Sequence, residues 1–349
     1  MRILILISSL EGGGAERIAT RVASSLAERH EVHIMPFSVS SNPYPLSGKV
    51  KVDNAGLFDL RAPSRVPVKY FISIVYGYLY LTFVRLFFHP DVTLSFLNKP
   101  NLLNAFAIGG GRKIMSERNN PKKKGERHFF AACQAYRRAD KVVFQSETIR
   151  DMFPKKIREK GVIVPNPVEV TCKAEGHSQR IVASGRLKPQ KNFPLLIRAF
   201  SRFSEGHPDH TLHIYGKGPQ EEELRCLIRD LSLEGKVFLE GFVGDIHEAV
   251  KDAEMFVLSS DYEGLPNALL ESMMMGLPCV TTSFESAGEL LGDSDSCLMV
   301  PVGDELALSD AMSRLAEDQR LRESLSAKAT MFSERFSIER VIPLWEKEL

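Results

Sequence analysis

The sequence predicts an α/β protein built from two Rossmann-like domains, and three observations lead to this prediction. The chain has 349 residues, which is longer than one hydrophobic core usually serves. Short apolar runs alternate with helical patterns in both halves, as in βαβ units with parallel sheets. Hydrophobic residues make up 44% and charged residues 26%, close to the average for soluble proteins. A disordered chain and a polytopic membrane protein are therefore both disfavoured.

The first half begins with an apolar run at residues 3–7, which a helical pattern follows at 15–28. Apolar runs of strand length then recur along the chain. They occupy residues 32–35, 50–52, 91–96, 112–116 and 141–144. We expect residues 1–170 to form one Rossmann-like domain.

A polar stretch at 171–179, just after the prolines of "VIVPNPVEV", is typical of a linker. The same rhythm then restarts with a second set of strand candidates. They occupy residues 180–184, 211–215, 236–240, 254–259 and 278–282. We expect residues 171–333 to form a second Rossmann-like domain, and residues 334–349 to form a helix that packs on the first.

The most apolar segment is "VPVKYFISIVYGYLYLTFVRLFF" at 66–88. Lys69, Gly77 and Arg85 interrupt it, and tyrosines crowd its middle, so a transmembrane helix is not favoured. A helix packed on the sheet and a helix lying on a membrane surface both remain open, because apolar positions cover most of the circumference.

Charge differs between the two halves. Residues 1–170 carry 26 Lys and Arg against 14 Asp and Glu, whereas residues 171–349 carry 19 against 30. A basic half suits an anionic membrane surface, a phosphate-bearing substrate or nucleic acid, although basic residues can also be merely solvated. With the aromatic segment at 66–88, the charge favours docking on a bilayer, and we expect no nucleic-acid partner.

The chain contains five cysteines, which are scattered and form no C-x-x-C pair. An odd, dispersed set of this kind is typical of reduced thiols in a cytoplasmic protein. Neither a disulfide framework nor a zinc site is indicated. The opening "MRILILISS" is too short an apolar run for a signal peptide, so we expect a buried first strand and a cytoplasmic protein.

The stretch "SSLEGGGAER" at 8–17 joins the first strand to the first helix. Adjacent glycines let the backbone approach a ligand, and the helix start favours an anion such as a diphosphate. The pattern is not G-x-G-x-x-G, which disfavours a nicotinamide-dependent oxidoreductase. A simple tight turn remains the alternative.

The stretch "ASGRLKPQKN" at 183–192 follows the first strand of the second domain. It places Arg186 and Lys191 on either side of a proline turn, where both cations can reach one phosphate group. Such a clamp needs no metal ion. Solvated surface cations are the alternative.

The stretch "DYEGLPNALLESMMMG" at 261–276 contains two glutamates. Pro266 and Gly276 suit the start and the end of a helix, which places Glu263 in a loop and Glu271 within the helix. Eight helical residues span about 12 Å, whereas the carboxyl pair of a retaining glycosidase lies about 5 Å apart. The spacing therefore favours two contacts with one elongated ligand.

Together these motifs resemble the retaining glycosyltransferases of family 4, which have the GT-B fold with two Rossmann-like domains facing across a cleft. The resemblance extends over essentially the whole chain. It rests on "EGLPNALLE" (263–271), "GRL" and "QKN" (185–192), "GGAER" (13–17) and "PNPV" (165–168). "GGAER" and "SERNN" (116–120) most resemble the subgroup that extends undecaprenyl-diphosphate-linked oligosaccharides, including the N-acetylgalactosaminyl transferases of bacterial N-glycosylation.

The resemblance implies a role for each matching residue. Arg186 and Lys191 would neutralise the donor diphosphate and Glu263 would lie beside the donor sugar, so these three are the candidate catalytic residues. Glu271 would hold the ribose. Backbone contacts to the donor would come from Gly13, Gly14, Gly264, Leu265 and Asn267.

One position departs from the family pattern. Many members carry a histidine where this chain has Arg118, and a guanidinium stays protonated and cannot act as a general base. Glu117 and Arg118, with Glu16 and Arg17, are candidates for acceptor or donor contacts.

The implied activity is transfer of a hexose or N-acetylhexosamine, GalNAc in particular, from a UDP-sugar to a lipid-linked saccharide. The resemblance implies no protein nucleophile, metal ion or cofactor, and it implies a protein peripheral to the inner face of the cell membrane. A UDP-sugar epimerase on the same fold and a non-catalytic scaffold are the alternatives.

Overall fold

The computed structural model describes residues 1–10, 14–38, 45–53, 67–118, 125–176, 178–292 and 294–349. These residues form two compact units. The first unit contains Met1–Pro167 and Ile338–Leu349, and the second contains Val168–Ser337. The division after Pro167 lies three residues before the expected boundary at 170, and the division after Ser337 lies four residues beyond 333.

Among the described residues, the first unit contains a seven-stranded parallel sheet. Its strands are β1 (Arg2–Ile7), β2 (Glu31–Pro36), β3 (Lys51–Val52), β4 (Val92–Phe96), β5 (Arg112–Ser116), β6 (Lys141–Phe144) and β7 (Gly161–Ile163). Its helices up to the division are α1 (Gly14–Leu26), α2 (Pro67–Phe88), α3 (Asn98–Phe106), α4 (Glu126–Tyr136), α5 (Glu147–Asp151) and α6 (Lys155–Arg158). The strand order is β3-β2-β1-β4-β5-β6-β7, so the winding direction reverses between β1 and β4.

The second unit repeats this plan with a six-stranded parallel sheet in the order β10-β9-β8-β11-β12-β13. Its strands are β8 (Arg180–Ser184), β9 (Thr211–Tyr215), β10 (Val237–Gly241), β11 (Met255–Leu258), β12 (Cys279–Thr282) and β13 (Leu298–Val300). Its helices are α7 (Phe193–Gly206), α8 (Glu221–Asp230), α9 (Ile246–Val250), α10 (Asn267–Met275), α11 (Ala287–Leu291), α12 (Glu305–Glu317) and α13 (Gln319–Ser333). The direction reverses between β8 and β11, and ligands of open α/β sheets bind at the carboxyl ends of strands at such a reversal.

Both sheets are covered by helices on their two faces, which explains the apolar runs that mark their strands. In β1, for example, Ile3 to Ile7 are each fully buried. Continuous rather than alternating apolar sequence is typical of strands in parallel sheets. The strands expected from the sequence are present, whereas β7 and β13 were not predicted, because each is three residues long and only partly buried.

The last helix, α14 (Ile338–Glu348), belongs to the first unit. Val341 and Trp345 of this helix are fully buried in the core around β1 and α1. The ring centroid of Trp345 lies 5.7 Å from that of Phe96 at the end of β4. The carboxylate of Glu346 also accepts a hydrogen bond from Arg29 at 2.9 Å.

Helix α2 covers the apolar segment singled out in the sequence. One side packs on the sheet, where Leu81 and Arg85 are fully buried. The Arg85 guanidinium donates to Thr93 Oγ1, Asn104 Oδ1 and the carbonyl oxygens of Gly109 and Gly110, at 2.6–3.3 Å. The opposite side leaves a stripe of large apolar side chains between 40% and 71% exposed. It consists of Ile72, Val75, Leu79, Phe83, Leu86 and Phe87. In the part of the chain that the structure describes, no helix has the length and apolarity needed to cross a membrane.

Candidate active site

The second unit brings Lys191 and Glu263 into direct contact. Lys191 follows β8 and Glu263 follows β11, the two neighbouring strands between which the sheet reverses direction. The Lys191 Nζ atom lies 2.6 Å from Glu263 Oε1, and the two side chains are only 17% and 8% exposed. Charge-assisted hydrogen bonds of this length are among the strong ones in proteins.

Two further side chains fix the Glu263 carboxylate. Ser260 Oγ donates to Oε1 at 2.6 Å, and Gln190 Nε2 donates to Oε2 at 3.2 Å. Gln190 Nε2 also donates to the carbonyl oxygen of Tyr262 at 2.9 Å. The carboxylate therefore accepts from three side chains that come from the ends of β8 and β11, and its orientation is set before any ligand binds.

Glycines make this arrangement sterically possible. A Cβ atom on Gly185 would lie 2.9 Å from Lys191 Cε, so the lysine side chain passes through the space that a larger residue would fill. A Cβ atom on Gly216 would lie 1.9 Å from the Gly185 carbonyl oxygen. A single turn of 3-10 helix at Pro189–Lys191 then brings the chain to Asn192, whose side chain accepts from Leu195 N and begins α7.

The side-chain hydroxyl of Ser286 donates hydrogen bonds to the loop before α10. Ser286 Oγ lies 3.0 Å from the Gly264 carbonyl oxygen and 3.3 Å from that of Glu263. Leu265 is 8% exposed, and α10 begins at Asn267, one residue after the predicted start, with Pro266 at the N-cap. Gly276 ends the helix in the left-handed region with φ 92°.

Glu271 lies inside α10 and is 4% exposed. Its carboxylate lines a small cavity with Ser184, His247 and Ser272. His247 is a neighbour of this carboxylate, and its Nε2 atom lies 3.7 Å from Glu271 Oε2. Glu263 and Glu271 therefore have different surroundings, the first beside a lysine and the second beside an imidazole.

Arg186 differs from Lys191 in that its side chain is exposed. Within the described residues, its guanidinium makes no hydrogen bond or ion pair to another side chain. The two cations of the predicted clamp are thus in different states, since one is paired with Glu263 and the other faces solvent.

In the first unit, the predicted glycine turn lies partly outside the described residues, which include Gly14 but neither Gly12 nor Gly13. Gly14 is exposed at the first position of α1. Glu16 is 8% exposed and accepts from Ser9 Oγ at 3.4 Å, while Arg17 is partly buried.

Glu117 follows β5 and is 1% exposed. Tyr136 donates its hydroxyl proton to Glu117 Oε2 at 2.9 Å and accepts from Asn101 Nδ2 at 3.1 Å. Burial raises the pKa of Tyr136 well above its ordinary value, with the neighbouring carboxylate adding to the effect. Tyr136 therefore stays a neutral hydrogen-bond donor.

Arg118 is 7% exposed and donates hydrogen bonds to two side chains and to the carbonyl oxygen of Val164. Its Nε donates to Ser116 Oγ at 2.6 Å, and its Nη1 donates to Asn166 Oδ1 at 2.8 Å. The guanidinium carbon lies 4.9 Å from the ring centroid of Trp345. Burial lowers the pKa of Arg118 to about 9, so the group stays charged at neutral pH.

Among the described residues, no group of three His, Cys, Asp or Glu side chains is arranged to hold a metal ion. Independence from metal ions stays a prediction.

Residues 173–331 match the family described as "Glycosyl transferases group 1". The second unit carries a glycosyl transferase group 1 domain. The match covers the segment that contains Arg186, Lys191, Glu263 and Glu271, and with the relatives below it makes the protein a glycosyltransferase.

Two relatives of this glycosyltransferase come from Campylobacter jejuni. The N-acetylgalactosamine-N,N'-diacetylbacillosaminyl-diphospho-undecaprenol 4-alpha-N-acetylgalactosaminyltransferase is 28% identical over 95% of this chain and 94% of its own length. The GalNAc-alpha-(1->4)-GalNAc-alpha-(1->3)-diNAcBac-PP-undecaprenol alpha-1,4-N-acetyl-D-galactosaminyltransferase is 25% identical over 99% of this chain and 98% of its own length.

Solved structures confirm the fold of the glycosyltransferase. The HepE protein of Anabaena, solved in complex with UDP and glucose, has a TM-score of 0.84 at 18% identity and covers 99% of this chain and 98% of its own. The sucrose-phosphate synthase of Thermosynechococcus elongatus also has a TM-score of 0.84, at 14% identity over 99% of this chain and 98% of its own. The GT-B fold class predicted from the sequence is therefore confirmed.

Sequence reasoning missed Gln190, Ser260 and His247, which lie against the two predicted glutamates of the second unit. Gln190 lies within the stretch quoted at 183–192, and Ser260 directly precedes the stretch at 261–276, so the signal for them was proximity along the chain to Lys191 and Glu263. His247 follows β10 and carried no sequence signal, because only folding brings it to Glu271.

Proposed function

We propose that the protein is a retaining glycosyltransferase that moves a hexose or N-acetylhexosamine, GalNAc in particular, from a UDP-sugar to a lipid-linked saccharide. The observation that carries the proposal is the buried Lys191–Glu263 pair at the reversal point of the group 1 domain. A buried charged pair held by Ser260 and Gln190 contributes little to stability compared with a packed apolar core, so its presence favours a ligand-binding role.

The chemistry of donor cleavage explains the two cations. Departure of a nucleoside diphosphate develops negative charge on the leaving phosphate, and fixed positive groups aimed at that charge lower the barrier most. Lys191 is fixed by its contact with Glu263 at 2.6 Å. The exposed Arg186 supplies a second, bidentate contact when the diphosphate binds.

The carboxylates contact the sugar part of the donor in this proposal. Glu263 lies beside the donor sugar, and Glu271 accepts hydrogen bonds from the ribose. Backbone groups of Gly264, Leu265 and Asn267 contact the sugar and phosphate at the start of α10.

Retention and metal independence belong to the same proposal. The acceptor hydroxyl attacks from the face of the leaving group and gives its proton to the departing phosphate, so no protein nucleophile is needed. Lys191 and Arg186 take the charge-neutralising part that a divalent cation has in other transferases.

The acceptor part is supported by the names of the two Campylobacter relatives, both of which contain a diphospho-undecaprenol or PP-undecaprenol carrier. We assign the acceptor to the basic first unit. Glu16, Arg17, Glu117 and Arg118 lie near the carboxyl ends of β1 and β5, the edge of the sheet where α/β proteins bind ligands.

Membrane association supports access to such an acceptor. The exposed stripe of α2 carries Leu79, Phe83 and Phe87 at 59%, 55% and 71% exposure, in the half of the chain with the excess of Lys and Arg. An apolar helix face in a basic half of the chain suits an anionic bilayer. We therefore propose a peripheral location on the inner face of the cell membrane.

A donor panel tests the proposal. UDP-GalNAc, UDP-GlcNAc, UDP-galactose, UDP-glucose and GDP-mannose are each offered with and without a lipid-linked saccharide, in EDTA, and the products are read by mass spectrometry and NMR. We expect one UDP-sugar to be transferred with retention of the anomeric configuration. Conversion of a UDP-sugar without acceptor would instead indicate an epimerase, and inversion or a strict requirement for metal would contradict the mechanism.

A further inference from the structure

His247 is a buried side chain of the second unit whose ring orientation is fixed on one edge. It is 4% exposed and lies in the first turn of α9, which Asp245 caps. The backbone N–H of Thr171 donates to His247 Nδ1 at 3.2 Å, and Thr171 Oγ1 donates to the Asp245 carboxylate at 3.2 Å. The segment around Thr171 and the N-terminus of α9 at Asp245 therefore contact each other as well as the ring.

The contact with Thr171 determines the tautomer of the imidazole. Because Nδ1 accepts the Thr171 amide proton, it carries no proton, and the neutral ring carries its proton on Nε2. That Nε2–H group makes no hydrogen bond to any described residue. A buried donor without a partner destabilises a protein, so it calls for a ligand or water.

The unpaired donor points toward a carboxylate across a small cavity. His247 Nε2 lies 3.7 Å from Glu271 Oε2, beyond hydrogen-bond range. The cavity that both residues line has a volume of about 10 Å³, room for one water-sized group. Ala268 and Met275 of α10 close part of its wall.

A hydroxyl group, whether of water or of a ligand, satisfies both sides of this cavity. A hydroxyl accepts from the imidazole N–H and donates to the carboxylate at the same time. A phosphate or carboxylate would be repelled by Glu271, and an ammonium group would leave the imidazole donor without an acceptor. Among ligand groups, the pair therefore favours a hydroxyl, such as that of a sugar.

We propose that His247 is a ligand-binding residue of the donor site, whose Nε2–H donates to a ribose hydroxyl that in turn donates to Glu271. The proposal rests on the proposed function, since it assigns the ribose of a nucleoside diphosphate to this cavity. It adds a contact that distinguishes ribose from deoxyribose in the donor.

The test is calorimetric titration of the full-length protein with UDP, 2′-deoxy-UDP and 3′-deoxy-UDP. We expect the wild-type protein to bind at least one deoxy form more weakly than UDP. His247→Phe keeps an aromatic ring but removes the donor, so it should bind UDP about tenfold more weakly and lose that preference. His247→Gln keeps an N–H group, so it should retain more of the affinity for UDP and more of the preference for UDP over the deoxy form.

His207→Phe is the matched control, because His207 stacks on Phe203 at the end of α7, and a phenyl ring preserves that contact. It should bind all three nucleotides as the wild type does. If wild-type protein binds UDP while His247→Phe and His247→Gln bind it equally well and keep the deoxy preference, the inference is wrong and the proposed function stands. Failure of the folded wild type to bind UDP would contradict both.

Discussion

At the scale of single residues, Lys191 shows how one contact can serve both folding and function. Its ammonium group neutralises the Glu263 carboxylate, whose side chain is 8% exposed, and in our proposal the same group meets the donor diphosphate. Removal of one partner from a buried ion pair leaves the other charge uncompensated. Substitutions at Lys191 affect stability and catalysis together, so the experiment needs variants that change one without the other.

We predict that Lys191→Met lowers kcat by about 100-fold or more, the effect of losing one fixed group at a developing charge, and lowers the free energy of unfolding by about 3 kcal/mol. The double variant Lys191→Met with Glu263→Gln should regain stability but not activity, because it removes the orphaned charge and not the missing cation. Steady-state kinetics and urea unfolding measure the two effects.

Lys188→Met is the control for this prediction, since Lys188 is an exposed lysine three residues away in the same segment. It should change stability by less than about 0.5 kcal/mol and leave transfer close to the wild-type rate. Near-normal activity of Lys191→Met would show that the lysine has no part in donor cleavage.

The cysteines provide a second residue-scale prediction. Burial raises the pKa of Cys297 to about 12, and Cys279 is fully buried, whereas Cys226 is exposed. The thiolate is the reactive form. At pH 8 iodoacetamide should therefore modify Cys226 in the folded protein and reach Cys279 and Cys297 only after unfolding. Peptide mass spectrometry reads the sites, and early modification of Cys297 would contradict the prediction.

At the scale of elements, the turns after the strands decide the geometry of the site. The turn after β8 contains Gly185, against which both Gly216 and the Lys191 side chain pack. Glycine is required at 185 to let a side chain through, and at 216 to let one backbone segment approach another. The two glycines should therefore respond differently to the same substitution.

We predict that Gly185→Ala lowers kcat and lowers thermal stability less than Gly216→Ala does. The new Cβ atom at position 185 would lie 2.9 Å from Lys191 Cε, the flexible end of a side chain, so the lysine moves, and the φ of +157° at this position adds backbone strain. Gly216→Ala should instead destabilise the protein by about 2 kcal/mol or more, because its Cβ atom would lie 1.9 Å from a backbone carbonyl oxygen. Kinetics and thermal unfolding distinguish the two, and an unchanged kcat in Gly185→Ala would argue against a fixed lysine.

Helix α2 is the other element with a direct consequence. Its inner face is part of the first unit's core, and its outer face exposes Leu79 and Phe83. Sequence periodicity left open whether the helix packs on the sheet or lies at a membrane surface. The structure shows that it packs on the sheet with one face and still presents apolar side chains on the other.

We predict that the wild-type protein sediments with phosphatidylglycerol vesicles more than with phosphatidylcholine vesicles, and less at high salt. Leu79→Glu with Phe83→Glu should weaken binding to the anionic vesicles by about tenfold or more. Met331→Glu is the control, because Met331 is 74% exposed in the second unit. Equal sedimentation of the double variant and the wild type would exclude α2 as the docking face.

At the scale of the whole molecule, the chain folds as two units with separate cores, and the last twelve residues return to the first. Trp345 is the single tryptophan and is fully buried in the first unit. Its fluorescence therefore reports on that unit alone.

We predict that Val341→Ala lowers the free energy of unfolding by about 2 kcal/mol, because it opens a cavity in the core that α14 completes. Urea unfolding followed by Trp345 fluorescence measures this change. Leu315→Ala, in the core of the second unit, should leave that fluorescence transition in place while shifting the transition seen by circular dichroism. A common shift of both signals in both variants would show that the two units unfold as one.

Much of this architecture could be predicted from the chain itself. The buried strands of parallel sheets need continuous apolar runs, and Pro266 and Gly276 mark the ends of a helix by their fixed and free backbone angles. The two series of strands predicted two Rossmann-like domains, and the family resemblance carried by four motifs implied the GT-B class. Arg186, Lys191, Glu263 and Glu271 could be singled out because each lies within a few residues of a recognisable turn or cap.

Tertiary structure decided which of these groups meet, because contacts across a sheet join residues far apart in the chain. Lys191 and Glu263 are 72 positions apart and come together because β8 and β11 are neighbours at the reversal of the sheet. His247 reaches Glu271 although β10 and β11 are not neighbours, because α9 and α10 share one hydrophobic core cluster. The sequence determined the elements and the chemical groups at their ends, and strand order in the folded sheet determined which groups form the site.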